Sequence, residues 1–146
     1  MRIAIVSSMF NEEISNNLIS GALQCYKDIT NQDFDKLHIF KVPGAFEIPG
    51  TINQILKFQR AHAIIAIGAV IKGETPHFDF IAGESAKGIL EISRNNNIPI
   101  INGIITTDNI EQAMDRSIPG GRNKGWDAME AALKTVHVYN EIQSKI

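Results

Sequence analysis

The sequence predicts a three-layer α/β/α fold, a four-stranded parallel sheet with helices on both faces. Two observations carry that prediction. Four short runs rich in β-branched residues alternate with longer helical stretches, and such alternation implies right-handed crossovers and parallel pairing. The third run, "AIIAIGAVI" at 63–71, offers no polar face to water, the mark of a strand held between two helical layers. The length of 146 residues favours one domain, residues 1–146, with one proper core. No internal repeat, linker or low-complexity segment divides it.

In chain order, the strands are expected at Ile3–Val6, Leu37–Val42, Ala63–Ile71 and Ile98–Thr106. The first helix, Glu12–Thr30, carries an apolar stripe at Ile14, Leu18, Ala22, Cys25 and Ile29, one side of a 3.6-residue period. The polar turn "DITNQDFD" at 28–35 then leads to the second strand. Further helices are expected at Pro49–Phe58, Phe80–Asn95, Asn109–Ser117 and Trp126–Gln143. Thr107, Asp108 and Asn109 are N-cap candidates with acidic Glu111 in the turn that follows. "SIPGGRNKG" at 117–125 breaks the last two helices with one proline and three glycines.

Charge and composition narrow the function. Fourteen Lys and Arg against sixteen Asp and Glu leave a net charge of −2, so no basic field exists for nucleic acid or an anionic membrane. Recognition of an anion must come from a few placed cations. No apolar stretch reaches the ~18 residues of a membrane span, and the opening "MRIAIVSSMF" is too short in apolar residues for a signal peptide. The single cysteine, Cys25, excludes an internal disulfide and suits a reducing compartment. Its place in the apolar stripe makes it a small core residue. A cytoplasmic location is expected.

In an open parallel sheet, ligands bind beyond the carboxyl ends of the strands. Four unusual segments should therefore cluster: "SSMFN" (7–11), "PGAFEIP" (43–49), "GETPHF" (73–78) and "TTDN" (106–109). His77 leads the candidates, because a loop histidine exchanges protons near neutral pH, and Pro76 stiffens its approach. A helix-capping or solvated histidine fits the same pattern. His38, His62 and His137 lie in or beside strands or within a helix and read as structural. Gly73, Glu74 and Thr75 present backbone N–H groups in a turn, with a hydroxyl from Thr75, suited to phosphate. Arg116 can add a bidentate charge or pair with Gln112 or Glu111 on its own helix. Phe10 can stack on a planar heterocycle or staple the first helix. Glu47, between Pro43 and Pro49, can accept bonds from ligand hydroxyls or stand as a solvated charge. No metal-ligand spacing and no nucleotide-binding glycine motif is present, so no metal and no cofactor is expected.

Taken together, "VPGAFEIP" (42–49), "GAVIKGETPHFDFIAGESAKGI" (68–89), "GIITTDNIEQAMDR" (103–116) and "NKG" (123–125) resemble the 6,7-dimethyl-8-ribityllumazine synthase family. The match runs in order from Ile3 to the last helix. The resemblance implies a flavodoxin-like fold and the penultimate step of riboflavin biosynthesis, in which 5-amino-6-(D-ribitylamino)uracil condenses with 3,4-dihydroxy-2-butanone 4-phosphate. An amine attacks the ketone, water leaves as a Schiff base forms, phosphate is eliminated, and the ribityl-bearing nitrogen closes the ring with loss of a second water. By resemblance, Phe10 stacks on the pyrimidine, while Ala45, Phe46 and Glu47 hold the aminouracil substrate. Ala69, Val70 and Ile71 present backbone to the pyrimidine edge. Glu74 and Thr75 receive the phosphate, Arg116 binds it, and His77 transfers protons. Lys124 corresponds to the lysine of the "NKG" motif and joins the candidates.

The resemblance further implies pentamers with sites between subunits, so that Asn102, Arg116 and His77 face a neighbour's Phe10 or Glu47 region or the reverse, leaving decamer and icosahedral shell open. Asn102 departs from the pattern, standing where many relatives have a phenylalanine beside the pyrimidine. Pro119 and Arg122 depart from the glycine-rich turn of shell-forming members. The alternatives are a non-catalytic flavin- or lumazine-binding protein, an archaeal-type riboflavin synthase, and a receiver-like domain. The last wants an acidic cluster after the first strand, where "SSMFN" stands.

Overall fold

A computed structural model of the chain describes residues 1–74 and 76–145. Its elements run β1 (Ile3–Ser8), α1 (Glu12–Thr30), β2 (Ile39–Val42), α2 (Ile48–Phe58), β3 (Ala63–Ile71), α3 (His77–Arg94), β4 (Ile100–Thr107), α4 (Ile110–Asp115) and α5 (Lys124–Ser144). Short 3₁₀ turns occupy Lys36–His38 and Ala45–Glu47. The strands form one sheet in the order β2-β1-β3-β4, with every neighbouring pair parallel.

Side-chain alternation along β3 explains the three layers. Ile65, Ile67 and Ala69 point into a cluster with Leu18 and Ala22 of α1, Ala113 of α4 and Met129 of α5. Ile64 and Ala66 point the opposite way, into a cluster with Ile48 and Ile52 of α2 and Ile89 of α3. Both faces of the strand are therefore dry, as the unbroken apolar run requires. Each isoleucine buried there contributes about 1.5–3 kcal/mol relative to exposure. The stripe of α1 holds from Ile14 to Cys25 and ends there, since Ile29 is half exposed. Cys25 has no solvent exposure, and desolvation, followed by the nearby carboxylates of Glu130, Asp28 and Asp127, pushes its thiol up to about 11. A thiol so held is a packing group and a poor nucleophile.

Several boundaries differ from the sequence expectation, each for a local reason. β2 begins at Ile39, not Leu37, because Asp35 accepts a bond from the Leu37 N–H and winds residues 36–38 into a 3₁₀ turn. Leu37 is left 83% exposed. β4 spans Ile100–Thr107, its ladder continuing through Thr107 opposite Ile71. The helix expected at Asn109–Ser117 is a shorter one, capped by Asn109, whose side chain accepts from the Gln112 N–H at 2.9 Å. α5 opens two residues early, at Lys124, because Asn123 caps it.

Candidate active site

β1 and β3 are neighbours in the sheet, yet α1 leaves β1 toward one face and α3 leaves β3 toward the other. Such a switch point opens a crevice outside the strand ends. A cleft of about 660 Å³ lies there. Three of the four segments expected to cluster meet in it. Phe10 comes from the β1–α1 turn, Ala45, Phe46 and Glu47 from the turn after β2, and Ala69, Val70 and Ile71 from the end of β3. Gly73 and His77 follow on the far wall.

Backbone bonds beyond the strands set this wall. The Met9 N–H donates to the Val42 carbonyl at 2.7 Å and the Phe10 N–H to the Pro43 carbonyl at 3.1 Å, carrying the β1–β2 ladder past the sheet edge. Phe10 is thereby delivered to the cleft with 70% of its surface exposed. It staples nothing. The next residue, Asn11, has left-handed backbone (φ 57°, ψ 54°) and makes no side-chain cap for α1. Its Nδ2 instead donates to the Ala69 carbonyl at 3.3 Å, tying the β1–α1 turn to the end of β3 across the switch point.

Phe46 and Phe80 stack with ring centroids 5.8 Å apart and planes 19° apart, an offset arrangement favoured by the ring quadrupoles. Both rings are about half exposed and form an apolar wall. Glu47 is exposed on the same rim, and the Thr51 hydroxyl donates to its backbone carbonyl at 2.8 Å.

His77 is not in a loop, as the sequence suggested. It is the first residue of α3, with Pro76 at the capping position. Pro76 suits that place, since its fixed φ is ready for a helix and it has no N–H to leave unpaired. The imidazole is exposed and lines the cleft beside Gly73. The opening N–H groups of a helix have no partner within it, and with the helix dipole they favour an anion. Glu74 is exposed immediately before this turn. Thr75 lies outside the described residues.

Three remaining candidates stand elsewhere. Asn102, Arg116 and Lys124 line a separate groove of about 390 Å³ that runs along β4 beneath the start of α5. It shares no residue with the cleft. Thr106, from the fourth segment, lies in this groove too. Arg116 directly follows α4 and makes no ion pair with Glu111 among the described residues, and Gln112 spends its side chain on the Asp108 N–H. Lys124 pairs with Asp127 at 3.4 Å. Asn102 turns its side-chain oxygen to its own strand, accepting from the Ile104 N–H at 3.0 Å.

Sequence reasoning missed Asn11, Phe80 and Asn123. An asparagine ahead of two glutamates reads as a cap, and Phe80 reads as a helix start. The reach of Asn123 to α1 has no local signal. Among the described residues no group of three His, Cys, Asp or Glu side chains is placed to hold a metal ion, and no helix is long and apolar enough to cross a membrane.

Residues 1–140 match the family model described as 6,7-dimethyl-8-ribityllumazine synthase. Proteins of that name from Chloroherpeton thalassium and Nitratidesulfovibrio vulgaris are each 42% identical to the chain, over 97% of it and 90% of their own length. A third, from Clostridium kluyveri, is 42% identical over 98% of the chain and 92% of its own length. With a family model spanning nearly its whole length and relatives this similar, the chain belongs to the 6,7-dimethyl-8-ribityllumazine synthase family.

Proposed function

We propose that the switch-point cleft and the β4 groove are two halves of one site, completed by a neighbouring subunit. The reaction of the family is the condensation of 5-amino-6-(D-ribitylamino)uracil with 3,4-dihydroxy-2-butanone 4-phosphate, giving 6,7-dimethyl-8-ribityllumazine, phosphate and water. One observation carries the reading. The imidazole and the aromatic wall stand in one pocket, the guanidinium and ammonium in another, and no residue lines both.

Each half suits one task. Phe10 stacks on the pyrimidine, while the turn at Ala45, Phe46 and Glu47 holds the ribityl chain and ring. The strand end at Ala69, Val70 and Ile71 offers backbone groups to the pyrimidine edge. Arg116, with Lys124 beside it, binds the phosphate by charge-assisted bonds, and by the resemblance Glu74 and Thr75 contact it too. Asn102 meets the ring edge with an amide where many relatives offer an aromatic ring. His77 shuttles the protons of imine formation, phosphate elimination and ring closure, a role worth about 10²–10⁴-fold. Holding two reactive substrates in register contributes much of the remaining acceleration.

The open edge of β4 supports a subunit contact there. An unpaired strand edge is normally covered, twisted away or charged, and Asn102 and Thr106 stand exposed along this one. A closed ring of head-to-tail contacts, here a pentamer, presents the groove of each subunit to the cleft of the next.

Mixed oligomers test the reading. His77→Ala and Arg116→Ala subunits are unfolded together, refolded together and assayed for lumazine fluorescence. Shared sites regain about a quarter of wild-type activity, because that fraction of random contacts joins an intact His77 to an intact Arg116. Activity no higher than that of the separate variants places both residues in one subunit and removes the composite site.

A further inference from the structure

We infer that Asn123 is a positioning residue for the phosphate half of the site, fixing Arg116 and Lys124 relative to each other. The inference rests on the reading that those two cations hold the phosphate. Asn123 is only 3% exposed, and its side-chain amide reaches three separate pieces of chain. Its Nδ2 donates to the Ser117 carbonyl at the end of the α4 turn and to the Asn17 carbonyl in α1, both at 3.0 Å. Its Oδ1 accepts from the Trp126 N–H at 3.0 Å, capping α5. Both donor hydrogens are used, so the amide has one orientation that satisfies it.

The cations flank this amide. Arg116 precedes Ser117, whose carbonyl Asn123 holds, and Lys124 follows Asn123 itself. The Lys124 N–H donates to the Arg116 carbonyl at 2.8 Å, closing the segment on itself. Two glycines clear the space. A Cβ on Gly21 of α1 would land on the Asn123 amide, and a Cβ on Gly125 would land on the Leu18 carbonyl. α1 and α5 therefore meet flush around Asn123, and α1 becomes the rigid reference against which both cations are set. A buried amide that is fully bonded costs little, whereas one partly stripped of partners leaves carbonyls unpaired.

Asn123→Ser keeps an oxygen for the helix cap and is too short to make both donations. Gly21→Ala presses on the amide from α1, a helix that contributes nothing to the groove. Both are compared with wild type by steady-state kinetics and thermal melts. The expected result is a KM for the butanone phosphate raised about tenfold in each, with the KM for the aminouracil changed by less than about twofold. In an Arg116→Ala background, Asn123→Ser should raise that KM by clearly less than its tenfold effect in wild type, because one of the two cations it sets against each other is gone.

Equal rises in both KM values, or a lowered Tm with unchanged kinetics, overturn the inference and leave Asn123 as a fold stabiliser. An unchanged phosphate KM in Arg116→Ala alone brings down the phosphate reading, and the inference with it. Should neither variant fold, hydrogen exchange on the unaltered enzyme decides. Saturating inorganic phosphate slows exchange at the Gly21 and Trp126 amides if the coupling exists, and leaves them unchanged if it does not.

Discussion

The cleft between β1 and β3 is walled by Phe10, Phe46 and Phe80 and carries one imidazole. The groove beneath the start of α5 carries a guanidinium, an ammonium and a carboxylate, with Asn102 and Thr106 exposed on the β4 edge among isoleucines and alanines. The cleft lies beyond the strand ends and the groove runs along β4, and their linings differ. A planar heterocycle with a flexible side chain needs apolar surface and a few fixed polar atoms. A phosphate needs charge held in place and has little use for apolar walls. On the proposed reading, dividing the two tasks lets each surface be built from the residues it wants.

The division can be broken from either side. The largest effect falls on the cleft. His77→Ala should lower kcat about a hundredfold while leaving the KM for the aminouracil unchanged, and a wild-type rate in stopped-flow lumazine fluorescence removes His77 from proton transfer. Next comes the groove. Arg116→Ala should raise the KM for the butanone phosphate about 10–100-fold, the loss of one charge-assisted contact of about 1.5–3 kcal/mol. The smallest effect sharpens the picture within the groove. Asp127 pairs with Lys124 and, on the proposed reading, competes with the phosphate for it, but the pair is exposed and worth at most about 1 kcal/mol. Asp127→Asn should therefore lower the phosphate KM about twofold at low ionic strength, and high salt should erase the difference. A raised KM would instead make the carboxylate part of the phosphate site.

Where the sequence carried enough information, it did so through burial. "AIIAIGAVI" fixes β3 as a central strand, because only a strand dry on both faces tolerates that run, and a site beyond the strand ends follows from the parallel sheet. Leu37 misled because a β-branched neighbourhood outweighs, on paper, the turn that Asp35 imposes by accepting from its N–H. The helical setting of His77 was hidden for a similar reason, since a proline reads equally as a loop stiffener and as a helix opener. Phe10, Glu47 and Arg116 were legible as candidates, and the resemblance set Arg116 apart from Phe10 and Glu47, but it grouped His77 with Arg116, whereas His77 lines the cleft with Phe10 and Glu47. That grouping failed because His77 opens the helix after β3, which lies beside β1, whereas Arg116 follows the edge strand β4. Asn123 acts across 106 residues of sequence on Asn17, a distance at which local pattern carries no signal.

Asn11 bears on how freely this chain can drift. Its backbone is left-handed, which admits glycine and, at modest cost, asparagine or aspartate. Its side chain donates to the Ala69 carbonyl, which glycine and an ionised aspartate cannot do. The two demands, one on backbone shape and one on hydrogen-bond polarity, leave asparagine as the residue that meets both. Of the sites on this molecule, a position of no chemical reactivity is thus among the least free to vary.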